Sequence, residues 1–262
     1  MTVAPDPSEI FHRAAEEGKR RLDQSLLELV STSFIAGFTI VFGIVAQGIT
    51  HAAVEPQFGE VARVAGALAF GIGLIFLVVG RAELFNENFF DPMATMAERG
   101  ETEAIGSVLR LWTLTFVFNL VGGAVFLLVL SVEGTLPPGA VEALAGSAEE
   151  IANREPLARF ASAVVGGALV SLLSFLLVAV NSVGSRLVLA YIVGFLLALG
   201  PFDHVVVTLL HAIFGMLSGV PLGFVTLATV GLVATAGNLV GGIGLVATTH
   251  VAQAMGARES SE

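Results

Sequence analysis

Six stretches of the chain carry no Asp, Glu, Lys or Arg: 29–54, 64–80, 111–132, 160–185, 187–202 and 204–257. A helix that crosses the roughly 30 Å hydrocarbon core of a bilayer needs about 20 apolar residues. The first, third and fourth stretches are long enough outright. The last is too long for one helix, and 218-SGVPLG-223 marks a turn inside it. Two are short, 64–80 and 187–202, of 17 and 16 residues. With 55% hydrophobic and only 13% charged residues in 262, the chain belongs to the membrane class rather than to the water-soluble one.

Each short stretch ends at a polar interruption and then resumes. The first continues as 81-RAELFNENFFDPMATM-96, the second as 200-GPFDHVVVTLLHAIFGM-216. Each is therefore one interrupted helix. The expected architecture is an all-α membrane protein with six transmembrane helices, at about 27–51, 61–97, 105–131, 158–181, 186–217 and 222–250. The second and the fifth are the interrupted ones. The segment 119-NLVGGA-124 recurs as 238-NLVGGI-243, an offset of 119. Leu84-Phe85 in the first break falls opposite Pro201-Phe202 in the second, an offset of 117. Three spans per half force opposite orientations, so the halves 27–131 and 158–250 form an inverted 3+3 repeat. Paired, interrupted spans in such a repeat point to a transport site.

Residues 1–26 are expected to form a cytoplasmic amphipathic helix and tail. Ser8 is the expected cap, and Phe11, Ala14, Ala15 and Leu22 share a face. No short apolar core with a small-residue cleavage site occurs here, so a signal peptide is not expected. Residues 251–262 form the other cytoplasmic tail. The Lys/Arg bias sets this orientation. Arg13, Lys19, Arg20, Arg21, Arg99, Arg110, Arg186 and Arg258 fall on the inner side, against Arg63, Arg154 and Arg159 outside. The expected location is the cell membrane, plasma or inner, with lipid as the surrounding partner. The net charge of −10 and the lack of a basic patch disfavour nucleic acid. With no cysteine, thiolate metal sites and disulfides are excluded, and no cofactor is expected.

A broken helix leaves backbone groups unpaired at membrane depth, so it must be buried in protein or line a polar cavity. The N-terminal end of a half-helix carries partial positive charge and free N–H groups, which hold an anion without a full cation. Gly200-Pro201 ends one half-helix and a second starts near His204. His204 is the interior group whose charge changes near neutral pH, and a pore-facing role outweighs that of a buried neutral histidine. Asp203 either faces His204 or caps the second half-helix, and capping is the better reading. His211, seven residues on, is expected to make a polar contact between helices; a metal pair needs closer spacing and further ligands. In the first break Glu83 is expected to pair with Arg81, and Asp91 to cap the half-helix before Pro92. Glu87 is left over, facing a wet side or protonated. Phe70, Leu74, Phe85, Leu197 and Phe202 can form dry collars around a conduit.

These segments resemble a known family. The stretches 81-RAELFNEN-88, 112-WTLTFVFNLVGGA-124 and 200-GPFDHVV-206 are similar to those of the formate/nitrite transporters, in order and over all six spans. The resemblance implies an aquaporin-like six-helix protomer, a homopentamer with one pore per protomer, and a central histidine, here His204. It also implies hydrophobic constrictions on either side, and small monovalent anions as substrates. An anion would enter a positively biased vestibule, take a proton at the dry constriction and cross as the neutral acid. Asn86 stands where the family usually carries Thr, and Ser171 where it usually carries Asn. The pattern E-N-x-x-x-P over Glu87, Asn88 and Pro92 is similar to the YfdC-like branch. The pore residues this implies are His204, Asn86, Ser171, Glu87 and Asp203.

Other classes fit less well. A neutral-solute or water pore of the aquaporin type uses two Asn-Pro-Ala caps, and this chain has 91-DPM-93 and 200-GPF-202. An intramembrane serine protease needs a nucleophile near a histidine, yet Ser218 lies at a span end and no G-x-S-G stretch exists. No catalytic residue is expected. A closed, non-conducting member of the family is the remaining alternative.

Overall fold

The structure is a computed structural model and describes residues 5–99 and 104–259. The first four residues, the connection 100–103 and the last three residues of the C-terminal tail lie outside the described residues, as do the side chains of Arg99 and Arg258. The described chain is helical: α1 (Pro7–Leu22), α2 (Leu26–Phe58), α3 (Val61–Val79), α4 (Phe90–Arg99), α5 (Ile105–Leu130), α6 (Pro138–Asn153), α7 (Pro156–Ala179), α8 (Val183–Leu199), α9 (Val205–Leu217), α10 (Phe224–Leu239) and α11 (Thr248–Glu259). A 3₁₀ turn, Phe85–Asn88, precedes α4, and a π-helical segment, Val240–Ala247, joins α10 to α11.

Among the described residues, five helical stretches are long and apolar enough to cross a membrane: α2, α3, α5, α7 and the continuous α10–α11. The shorter apolar α8 and α9 flank the second break and supply the remaining interrupted span. Large apolar side chains face outward along these helices, including Phe42, Ile72, Val117, Leu128, Ile192 and Leu232. Such a belt suits lipid or a neighbouring protomer and would be a liability in water. The chain is a multi-pass membrane protein. Its α2 runs 33 residues, or about 50 Å at 1.5 Å per residue, and so extends well past the expected end at residue 51.

The connection between the two halves, expected from the spans to have no spanning helix of its own, contains a short helix. Residues 138–153, rich in Ala and Glu, form α6, which starts with Pro138 in the first turn, where its missing N–H costs nothing. It buries Ala140, Leu144 and Ala148. This helix has a counterpart in α1, also of 16 residues, which buries Phe11, Ala14, Ala15 and Leu22 as anticipated. Each precedes the long first helix of its half, and each packs on the second half-helix of that half: α1 on α4, α6 on α9. The repeat unit is thus four elements, not three. The cap of α1 is Asp6 rather than Ser8: its carboxylate accepts the N–H groups of Ser8 and Glu9 at 2.9 Å. Pro7 occupies the first helical position, which places the cap one residue before it.

The two halves repeat a close helix contact. Gly37 of α2 lies against the Asn119 carbonyl of α5, and Gly167 of α7 against the Asn238 carbonyl of α10. A Cβ at either glycine would collide with backbone, so helix approach here is set by the missing side chain.

Candidate functional site

The first break begins where α3 ends in a Schellman turn. Ala82 N–H donates to Leu77 O at 3.1 Å and Arg81 N–H to Val78 O at 3.3 Å. The left-handed position of this turn belongs to Arg81, with φ of 51°. A glycine would sit there without strain; an L-residue pays about 1–2 kcal/mol. The second break uses other means, with Gly200 in an extended conformation followed by Pro201.

Both breaks are held by an asparagine from the third helix of their half, near its middle. Asn119 Oδ1 accepts Phe85 N–H at 3.0 Å, and its Nδ2 donates to Glu83 O at 2.9 Å and Ser33 O at 2.8 Å. Asn238 Oδ1 accepts Val205 N–H at 2.8 Å, and its Nδ2 donates to Asp203 O and Ala163 O, both at 2.7 Å. Backbone groups that would be orphaned at bilayer depth are thereby paired. The equivalence corrects the register of the repeat. Glu83 corresponds to Asp203 and Phe85 to Val205, an offset of 120 rather than 117. Leu84 therefore stands where the second break has His204.

Each acid is clasped from the helix that opens its half. Arg20 of α1 pairs with Glu83 at 3.0 Å, joined by Gln24 at 2.9 Å. Arg154, at the end of α6, pairs with Asp203 at 2.8 Å, and Thr208 donates to the other carboxylate oxygen at 3.3 Å. Two expectations are corrected here. Glu83 does not pair with Arg81, whose left-handed backbone leaves its side chain exposed. Asp203 does not cap α9, because its carboxylate is taken by Arg154 and Thr208.

The capping position belongs to His204. Its Nδ1 accepts the Val207 N–H at 3.4 Å. A ring nitrogen that accepts a backbone N–H carries no proton, so the neutral imidazole bears its proton on Nε2. The residue is 1% exposed, and Nε2 has no hydrogen-bond partner. A buried donor left unpaired is costly, so a guest that accepts from Nε2 is favoured. The N-terminus of α9 adds partial positive charge at the same point.

Asn86 is fully buried; its Nδ2 donates to Asn238 Oδ1 at 2.8 Å, while its own Oδ1 has no partner. The second break and Asn86 thus converge on one oxygen atom. Ser171 donates to Gly242 O at 3.0 Å, inside the π-helical segment, where the altered backbone register leaves carbonyls to be satisfied by side chains. Asp91 accepts from Ser174 at 2.8 Å and lies 3.5 Å from Arg21; no side-chain cap by Asp91 is seen. Glu87 is buried, with Oε1 unpartnered. His211 stays within its own helix, with Nδ1 3.0 Å from Val207 O.

A cavity of about 350 Å³ opens on the α6 side. Phe70, Leu197 and Phe202 of the expected collars line it, as do Asp203, Thr208 and His211. Leu74 and Phe85 do not; Phe85 instead packs edge-on against Phe89 and Phe116, with ring centroids 5.0 and 5.2 Å apart. His204 is buried and is not in the cavity lining. The cavity does not match the expected positive bias. Its lining carries Glu55, Glu60, Glu150 and Asp203 against Arg63 and Arg154.

The α1 side also carries more acids than cations, here with a buried cation enclosed by the acids. Arg21 is buried among Glu17, Glu83 and Asp91, at 3.3, 3.6 and 3.5 Å. It also donates to Glu87 O at 3.0 Å and Asn88 Oδ1 at 2.8 Å. Burial works against its charge, but the carboxylates of Glu83, Asp91 and Glu17 more than offset this and hold the guanidinium above its ordinary value. For Glu17, burial pushes the carboxyl up, yet the Arg20 hydrogen bond and the charges of Arg21 and Arg20 outweigh it and bring it down to about 2.

Asn119, Asn238, Arg20, Arg21 and Arg154 were not among the expected site residues. The two asparagines open both copies of N-L-V-G-G, and a polar residue repeated inside an apolar helix is a signal in itself. The arginines reach their partners from distant helices, which no local pattern announces.

Residues 8–252 match the formate/nitrite transporter family. Among curated relatives, the inner membrane protein YfdC of Escherichia coli (strain K12) is 21% identical over 244 residues, covering 93% of this chain and 77% of YfdC. A probable formate transporter of Methanothermobacter thermautotrophicus is 35% identical over 103 residues, 38% of this chain and 36% of that one. Among solved structures, an FNT family ion channel superposes with a TM-score of 0.82 at 17% identity, covering 93% of this chain and 98% of that one. A pentameric formate channel with formate bound gives 0.71 at 19% identity, covering 88% and 100%. With a family match over nearly its whole length and this fold, the chain belongs to the formate/nitrite transporter family.

Proposed function

We propose that the chain forms a pore for small monovalent weak-acid anions such as formate or nitrite, with passage linked to a proton through His204. The observation that carries this reading is the buried, unpartnered Nε2 of His204 at the N-terminus of α9. An anion that reaches this point accepts the Nε2–H hydrogen bond and faces the positive end of a half-helix. Moving it further as an ion through the apolar surroundings of Phe70, Leu74 and Leu197 would be expensive. A proton from the entry side, added to the anion while it is held at His204, removes that cost. The neutral acid crosses, and the proton is released beyond. Asn86, with a free buried Oδ1, offers the acceptor that a protonated acid needs. The channel solved with formate bound supports the substrate class, and its pentameric assembly supports a homopentamer. The Lys/Arg bias supports cytoplasmic termini in a plasma or inner membrane.

The acidic excess in the α6-side cavity favours a second reading, a pore for a neutral or different small solute. A flux panel in liposomes separates the two, with formate, nitrite, hydrosulfide, lactate, chloride and cations at two pH values. Faster uptake of the weak-acid anions at the lower external pH supports the first reading. Osmotic swelling with no anion flux supports the second. No flux of any kind identifies a closed pore.

A further inference from the structure

We infer that the first break is a proton-binding site in its own right, with the proton on Glu87, separate from His204. Four carboxyl groups meet here: Glu17 from α1, Glu83 and Glu87 from the break, and Asp91 from α4. Two guanidinium groups face them, Arg20 and Arg21. Fully ionised, the cluster holds two uncompensated negative charges in a place with almost no water, since Glu83, Glu87 and Asp91 are 2%, 3% and 0% exposed.

The pairing is uneven. Glu17 binds both arginines, and Glu83 takes Arg20 and Gln24 through one oxygen. Asp91 takes Ser174 and lies beside Arg21. One oxygen each of Glu83, Glu87 and Asp91 lacks a hydrogen-bond partner, but Glu83 and Asp91 lie within ion-pair distance of an arginine, whereas Glu87 is approached by Arg21 only through its backbone carbonyl. Among the described side chains, the other packed elements bring no further cation to it. Arg110 of α5 spends its hydrogen bonds on the carbonyls of Leu22 and Gln24, and His250 of α11 packs its ring on Phe90 and Phe175. Among the described residues no group of three acidic or histidine side chains is arranged to hold a metal ion, so the missing positive charge is a proton rather than a metal. The carboxylate of Glu87 takes one proton from hydronium in the solvent on the α1 side, leaving water, and returns it to that solvent or to a passing anion.

The site is tied to His204. Asn86, next to Glu87, donates to the same Asn238 oxygen that anchors Val205 at the start of α9. Loading of the first break therefore bears on the half-helix that His204 caps. This role in transport rests on the proposed function; the proton itself does not.

The test is infrared spectroscopy of the purified full chain, paired with formate flux in liposomes. The expected result is a protonated carboxylic-acid carbonyl band at neutral pH that shifts in heavy water and is lost in Glu87→Gln. Isotope-labelled glutamate in the unmutated chain should shift the same band, which keeps the test open if the variant does not fold. Absence of the band, a band unmoved by labelled glutamate, or one retained in Glu87→Gln overturns the inference. Formate flux without the band overturns it while leaving the transport reading intact; the band without flux does the reverse.

Discussion

Asn86 donates its side-chain amide to Asn238 at 2.8 Å, and the acceptor oxygen also holds the Val205 N–H. One atom therefore joins the two interrupted helices across the inverted repeat. Among the described residues the first half has no matching bond: Asn119 Oδ1 holds Phe85 N–H alone. The symmetry of the scaffold is broken at the point where the two breaks meet.

Asn238→Ala should accordingly cost more than Asn119→Ala. The former removes the hydrogen bonds to Asn86, Val205, Asp203 and Ala163, the latter those to Phe85, Glu83 and Ser33. Each buried group left unpaired costs about 1–3 kcal/mol, so both losses are several kcal/mol. Thermal unfolding of the two purified variants gives the order, and an equal or reversed order contradicts it.

Arg154 and Asp203 should be strongly coupled. Removing the guanidinium leaves a carboxylate only 5% exposed without its cation. A double-mutant cycle with Arg154→Met and Asp203→Asn should give a coupling of about 1 kcal/mol or more. Additive losses would show that the clasp does not hold the second break.

Attachment of α1 should weaken in acid through Glu17. Its folded-state value of about 2 lies below the ordinary 4.5. A group so depressed contributes its full stability above 4.5 and loses it as the pH falls towards 2. Hydrogen exchange in α1 should accelerate over that window in the natural chain, with a smaller change in Glu17→Gln, which is already loosened at neutral pH. Equal acid dependence in both would remove Glu17 from the account.

Arg81→Gly should stabilise the protein. The left-handed backbone of this residue suits glycine, and relief of the strain is worth about 1–2 kcal/mol, less the added freedom of the unfolded chain. A higher midpoint of thermal unfolding is the expected readout; a lower one would mean that the exposed side chain has a role of its own.

Much of this molecule was legible in its sequence because a bilayer punishes charge. Charge-free runs marked the spans, and the polar interruptions at 81–92 and 200–204 marked both breaks. Helix α6 was hidden because an Ala/Glu-rich amphipathic segment outside the bilayer resembles an acidic loop until its partner α9 is known. The register slipped by three because matching Phe85 to Phe202 used side-chain likeness, whereas Asn119 and Asn238 hold backbone atoms. Arg20, Arg21 and Arg154 escaped for a related reason. Apart from Glu17, which lies on the same helix as Arg20 and Arg21, the carboxylates they hold at the breaks are 49 to 70 residues away, and for Glu83 the neighbouring Arg81 was the nearer but wrong choice.

The most direct test of the account is proton-linked formate uptake by His204→Ala in proteoliposomes, with assembly verified. The account predicts uptake that rises as external pH falls in the natural chain and is lost in the variant. Flux in His204→Ala equal to that of the natural chain, with the same pH dependence, would contradict it.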